Sequence, residues 1–163
     1  MIVCSRCQGK LSVHGSYERK IKNGENSEKG WIVQGHCHIC NVYPSIIPEF
    51  IMPYKQYGSG VVERVIIAYE SGTNIESLEG CPADISTMRR WIRQFDKRGT
   101  QAVGSLISIL LKLYEEHVNI IELQGKTLLK KLERLLKEYP VLKNGSIIGR
   151  SNIVLTTQNS GFL

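Results

Sequence analysis

The chain has 163 residues, 42 % of them hydrophobic and 22 % charged, which suits one ordinary domain or two small units sharing a joint. Its apolar runs, such as Leu106 to Leu111, are far short of a membrane span, and four of its five cysteines fall in a paired motif, which argues against a disulfide scaffold. The net charge of +6 and a pI near 9.1 suggest an anionic partner; no membrane and no small-molecule substrate are expected. Thiolates reserved for metal imply a reducing compartment, and Cys4 stands so close to Met1 that a signal peptide has no room. A cytoplasmic protein is expected.

Met1 to Val3 reads as a short strand feeding Cys4-Ser5-Arg6-Cys7, which faces Cys37-His38-Ile39-Cys40 across a spacer of 29 residues. Two C-x-x-C pairs make four thiolates, the ligand set of a closed tetrahedral zinc site. Two residues between cysteines let the backbone fold into a knuckle that points both sulfurs at one ion. Gly9 suits the positive φ such a knuckle needs, and Asn41 tolerates it after the second pair. A redox pair or an iron–sulfur centre are the rival uses of these cysteines. Between the knuckles, Leu11, Val13 and Tyr17 alternate with polar residues like a half-buried strand. Asn23-Gly24 marks a hairpin turn within the polar stretch 20–30, and Trp31-Ile32-Val33 forms the return strand. Residues 1–45 therefore read as a zinc ribbon, too small to fold without its metal. His14, His36 and His38 crowd it as surface groups, because four thiolates already fill the site. Arg6, Lys10, Arg19, Lys20 and Lys22 make it basic, either as a solvated face or as a phosphate-contacting one.

Residues 46–58 form a joint in which Pro48 and Pro53, after Pro44, forbid a regular helix. Ile46, Ile47, Phe50, Ile51 and Met52 are too apolar for a free linker and are expected to pack the ribbon against the next unit of the chain. Ser59 can cap a helix to about Ser71, with Val62, Val65, Ile66 and Tyr69 buried and Gly72 ending it. A short second helix over 74–79 precedes a break at Cys81-Pro82, where Cys81 reads as a small core residue. The next helix, from Asp84 to Arg98, buries Met88, Trp91, Ile92 and Phe95 at i, i+3, i+4 and i+7. Its other side carries Thr87, Arg89, Arg90, Arg93, Gln94 and Lys97. Helix, tight middle element and basic amphipathic helix are the parts of a helix-turn-helix over 59–100. Arginine forks suit phosphate, or guanine O6 and N7, so Ser86, Thr87, Arg89, Arg90, Arg93, Lys97 and Arg98 are candidate contacts to double-stranded DNA.

The segments CSRCQGKLSVHGSYERK, WIVQGHCHICNVYPSIIP and STMRRWIRQF together resemble the zinc-ribbon and helix-turn-helix front ends of bacterial insertion-sequence transposases. They are more similar still to a family of short bacterial proteins with the same front end. The resemblance covers roughly residues 1–100 and implies Zn2+ at Cys4, Cys7, Cys37 and Cys40, with a recognition helix opening at Ser86 to Arg93. The large nuclease domain of those transposases, with its spaced acidic residues, has no counterpart here, so the resemblance implies no catalysis.

From Thr100 the pattern changes. Leu106, Ile109, Leu110, Leu113, His117 and Ile120 make one helical stripe, and Leu128, Leu129, Leu132, Leu135 and Leu136 another, ended by Pro140. Residues 101–140 thus read as a helical hairpin or as homodimerisation helices. Residues 141–163 are open between a short helix and strands. The expected fold class is α+β: a small N-terminal zinc β-ribbon, a mainly α-helical helix-turn-helix region and two C-terminal helices. The expected function is sequence-specific DNA binding of mobile-element type without a nuclease domain. The rivals are a fragment or subunit of a transposase or recombinase, and a zinc-ribbon adaptor for protein partners. Glu115, Glu116, Glu122 and Glu133 read as helix-surface residues, which disfavours the enzyme.

Overall fold

The computed structural model describes residues 2–53, 55–114, 123–139 and 144–156. The expectations for His117, Ile120, Glu115, Glu116, Glu122 and Pro140 lie outside that set, as does the side chain of Leu113. The architecture is mixed α+β, a three-stranded antiparallel sheet followed by four helices.

The sheet has the order β1 (Leu11–Lys22), β2 (Ser27–Cys37) and β3 (Ser45–Ile46). β1 and β2 form the hairpin whose turn contains Asn23-Gly24, with Lys22 opposite Ser27 and Leu11 opposite Cys37. Both strands run further into the polar stretch 20–30 than its composition suggests. A register shift lies between Val13 and Gly15; Val13 and Tyr17 are exposed rather than half-buried, and Ile21 is the buried apolar residue of β1. The sheet reaches one residue into the expected joint, because Ser45 and Ile46 pair with Gln34 and Val33. Ile51 then packs with Ile21 and Ile32 of the sheet, whereas its neighbour Met52 enters the helical core. Adjacent side chains of one extended segment therefore belong to two different cores.

Helix α1 spans Ser59–Glu70. Its cap residue is Gly58 rather than Ser59, which is itself buried and helical. At the far end Gly72 takes a φ of 74°; its amide bonds the Tyr69 carbonyl at 3.1 Å and the Thr73 amide bonds that of Ala68 at 2.9 Å. This is a Schellman ending, and the left-handed residue it needs is the glycine. Val62, Val65 and Ile66 are buried, but Tyr69 is exposed and donates its hydroxyl to Asp96 at 2.9 Å. The short second helix is a single 3-10 turn, Ile75–Ser77.

Helix α2 runs unbroken from Ile85 to Tyr114, 30 residues and about 45 Å. The separate elements expected on either side of Thr100 are one helix. The apolar phase explains this. Met88, Trp91, Ile92, Phe95, Ala102, Val103, Leu106, Ile109 and Leu110 are all buried at continuing three- and four-residue steps. Gly99 falls on that stripe, where an added Cβ would lie 2.8 Å from Leu128 Cδ1. It lets α3 (Leu128–Leu136) approach closely instead of ending the helix. Residues 147–156 of the ambiguous tail form α4 (Ile147–Thr156). Two glutamates of α1 anchor these last helices. Glu70 accepts the Leu129 amide at 3.1 Å, and Glu63 accepts the Ile148 amide at 3.0 Å. Carboxylates at helix N-termini satisfy free amides and oppose the dipole's positive end. Leu129, Leu132, Leu135 and Leu136, read as a hairpin or dimer surface, are buried within the chain's own core.

Candidate metal centre and basic helix face

The sulfurs of Cys4, Cys7, Cys37 and Cys40 lie within 4.8 Å of one another. Cys4 and Cys40 are 3.6 Å apart, and Cys7 and Cys37 3.4 Å apart. These separations are far beyond a disulfide bond, and near the ~3.8 Å edge of a tetrahedron with metal–sulfur bonds of about 2.3 Å. The two knuckles share one backbone plan. In each, the residue after the second cysteine is left-handed, Gln8 at φ 60° and Asn41 at φ 50°. The expectation of positive φ at Gly9 is thus displaced by one residue. Gly9 is small for another reason: an added Cβ would collide with the Ile39 side chain. Amide-to-carbonyl bonds close each knuckle, Cys4 to Gly9 at 2.8 Å and Cys37 to Val42 at 3.0 Å.

The electrostatics favour thiolate where the backbone points inward. The Cys40 amide, aided by that of Ile39, lowers the Cys37 thiol to about 6 against the burial that opposes it. Amides of Cys7 and Arg6 lower Cys4 in the same way. Burial, with the neighbouring sulfurs, pushes Cys40 up to about 12. Four sulfurs this close cannot all ionise without a cation among them. The buried Cys4 and Cys37, the amides aimed at their sulfurs and the tetrahedral spacing fit a metal ion.

His36 and His38 flank this site without joining it. The His36 ring stacks on Tyr43 with centroids 4.4 Å apart, its Nε2 lies 3.0 Å from Asn41 Oδ1, and His14 meets Tyr43 edge-on.

On α2 the candidate nucleic-acid contacts divide. Arg89, Arg90, Arg93, Lys97 and Arg98 are exposed. Ser86 and Thr87 serve the helix start instead. Asp84 receives the Ser86 hydroxyl at 2.6 Å, and the Thr87 amide and hydroxyl each at 2.9 Å. These donors hold the Asp84 carboxyl down at about 2. Thr87 is buried and its hydroxyl is already committed, so of these two only Ser86 stays at the surface. The capping role of Asp84 is new relative to the sequence reading, although an aspartate just before a Ser-Thr pair and an apolar run carries the signal. Arg89 is also paired with Glu76 at 2.7 Å, an exposed contact worth at most about 1 kcal/mol. Arg89 and Arg93, with Tyr69, Thr73, Asn74 and Ile75, line an open cleft of about 650 Å³ beside the 3-10 turn.

One residue absent from the sequence reading belongs to this face. Lys55 of the joint donates to Gln94 Oε1 at 3.3 Å, and the Arg19 guanidinium donates to the Lys55 carbonyl. Burial, then Arg90 and Arg98, lower the Lys55 ammonium to about 8. No helix among the described residues is long and apolar enough to cross a membrane.

The fold and site define a class: a mixed α+β chain whose N-terminal sheet presents four cysteines suited to one metal ion. The chain belongs to the DUF6431 family, a domain of unknown function, whose model matches residues 4–91. The match starts on the first ligand cysteine and ends on Trp91, within α2. Neither the curated proteins nor the solved structures gave a match.

Proposed function

We propose that the protein binds double-stranded DNA through the first half of α2, with a zinc ion holding the ribbon. In this reading α1, the 3-10 turn and α2 act as a helix-turn-helix, and the chain is related to the front end of insertion-sequence transposases. The observation that carries it is a single helix face. Opposite the buried Met88, Trp91, Ile92 and Phe95, α2 exposes Arg89, Arg90, Arg93, Lys97 and Arg98, and its one acid there, Asp96, is engaged by Tyr69. The positions form two parallel stripes, Arg89-Arg93-Lys97 and Arg90-Gln94-Arg98, each at steps of four. Cations so placed can follow two lines of phosphate or pair with guanine edges. The resemblance of residues 1–100 supports the same reading. Zinc is the metal that four thiolates at tetrahedral spacing suit best.

The test is binding of the zinc-loaded protein to a site selected from random DNA, and to random duplex, across a salt series. Replacing Arg89, Arg90 and Arg93 together by Ala should weaken both. A single arginine–guanine contact should cost about 1–3 kcal/mol at its base position, and loss of Lys97 should flatten the salt slope by about one unit. A folded triple variant with both affinities intact would refute the helix face. Elemental analysis should give one zinc per chain.

A further inference from the structure

Lys55 is a half-buried cation whose ammonium meets no carboxylate among the described residues; its one hydrogen-bond partner is the neutral Gln94 amide. Gln94 is the middle of the stripe Arg90-Gln94-Arg98, so Lys55 sits with an arginine one helical turn to each side. Burying a charge is costly unless an opposite charge meets it, and two guanidiniums nearby make the cost larger. The position is also built, not incidental. Arg19 of β1 holds the Lys55 carbonyl, and the next residues are tied to the same strand: the Lys22 amide bonds the Gln56 carbonyl at 2.7 Å, and the Gly58 amide bonds the Lys22 carbonyl at 3.1 Å. Tyr57 is pinned from both units, with Lys22 Nζ 5.6 Å from its ring centre and Trp91 meeting it edge-on at 4.9 Å. A lysine kept in such a place lacks only its counter-charge.

From this geometry we infer that Lys55 and Arg90 form a phosphate-group site at the junction of ribbon and helices. The chemistry is that of a phosphate oxygen replacing the missing carboxylate: an ammonium from the joint and a guanidinium from α2 stand beside one another for one anion. On the DNA reading, on which the source of the phosphate rests, the occupant is a backbone phosphodiester. It would place the sheet-bound joint and α2 on the same strand of the duplex. The second stripe of α2 then tracks the backbone, and the stripe of Arg89, Arg93 and Lys97 faces the groove.

The experiment compares the zinc-loaded wild type with Lys55→Met, which keeps the methylene packing and removes the charge. Two probes are used: a random-sequence 30-base-pair duplex in a salt series, and inorganic phosphate in a melting assay at fixed ionic strength. For Lys55→Met the expected results are a salt slope smaller by about one unit, several-fold weaker duplex binding at low salt, and loss of the phosphate-induced rise in Tm. Lys55→Arg should retain all three. Should Lys55→Met melt lower than wild type, Lys55→Gln replaces it. A Lys55 variant with the wild-type slope and the wild-type phosphate response overturns the site, even if an Arg89→Ala, Arg93→Ala variant shows that α2 binds DNA. A phosphate response that depends on Lys55, in a protein that does not retain duplex, upholds the site with free phosphate as its source and overturns the DNA reading.

Discussion

The ribbon and the helical unit solve the same problem with opposite means. Among the described residues the ribbon buries one apolar cluster, Ile21, Ile32 and Ile51 with Ile47 against it. The helical unit buries 25 apolar side chains, from Met52 to Leu155, in one continuous cluster. A sheet with one face so thinly covered needs a further constraint, and units below about 40 residues usually take it from a metal or a disulfide. The helices need none. Their apolar stripes are long and their ends are capped from within, by Asp84, Thr127, Glu63 and Glu70. With a metal at the four cysteines, stability in one half would be conditional on the ion, whereas in the other it is a matter of packing.

Removing the ion should separate the halves most sharply. The two tryptophans report on them independently, Trp31 from the exposed side of the sheet and Trp91 from the interior of the helices. Chelation, or Cys37→Ser, should abolish amide protection across β1 and β2. The blue-shifted emission of Trp91, read in a Trp31→Phe background, should persist. Concerted loss of both signals would mean that the helices depend on the ribbon, and the contrast would fail.

A core truncation acts in the opposite direction. Trp91→Ala should cost about 3–5 kcal/mol of helical stability, seen in denaturant midpoints, while zinc stoichiometry stays at one. Trp91→Phe should cost clearly less, because the buried indole N–H has no hydrogen-bond partner to lose. Next in size is Gly149→Ala. An added Cβ would run into the Glu49 carbonyl oxygen and crowd the Ser59 hydroxyl. About 1–3 kcal/mol is expected, with the midpoint falling despite the better helix propensity of alanine.

The smallest effect concerns acid. Asp84 is held down at about 2, so the stability it contributes is fully present above the ordinary carboxylate range and is lost as pH falls through about 2. Protection of the first-turn amides of α2 should fade over that interval in the wild type. Asp84→Ala should lack that dependence and melt slightly lower at neutral pH.

The parts of this contrast that the sequence showed are those in which residue type alone dictates geometry. Two C-x-x-C pairs converge in the arrangement that suits a metal ion; Asn23-Gly24 turns because few other pairs do so readily; Met88, Trp91, Ile92 and Phe95 share a side because the helix has 3.6 residues per turn. Some features that escaped depended on distant partners. The change of pattern at Thr100 reads as a boundary until Leu128 is seen against Gly99, although the apolar phase through Ala102 and Leu106 never changes. Ser59 has the chemistry of a cap but lies one residue inside the helix. Val13 and Tyr17 alternate like a half-buried strand but are exposed. Lys55 looks like any linker lysine until Gln94, Arg90 and Arg19 surround it. For Gly99 and Lys55 the deciding atoms lie far along the chain.

The continuity of α2 bears on how this protein can be cut. The region shared with the rest of the family stops at Trp91, two turns into a helix that continues for more than twenty residues. A fragment trimmed to that border would end inside the apolar cluster that Val62, Val65, Ile66 and Trp91 share with Ile92, Phe95, Leu106 and the later helices. The border of resemblance is thus not a border of folding. An excised segment 4–91 should behave as a sticky, partly ordered chain even with its cysteines loaded, whereas a cut in the joint, between Ile51 and Met52, falls where the two cores already part.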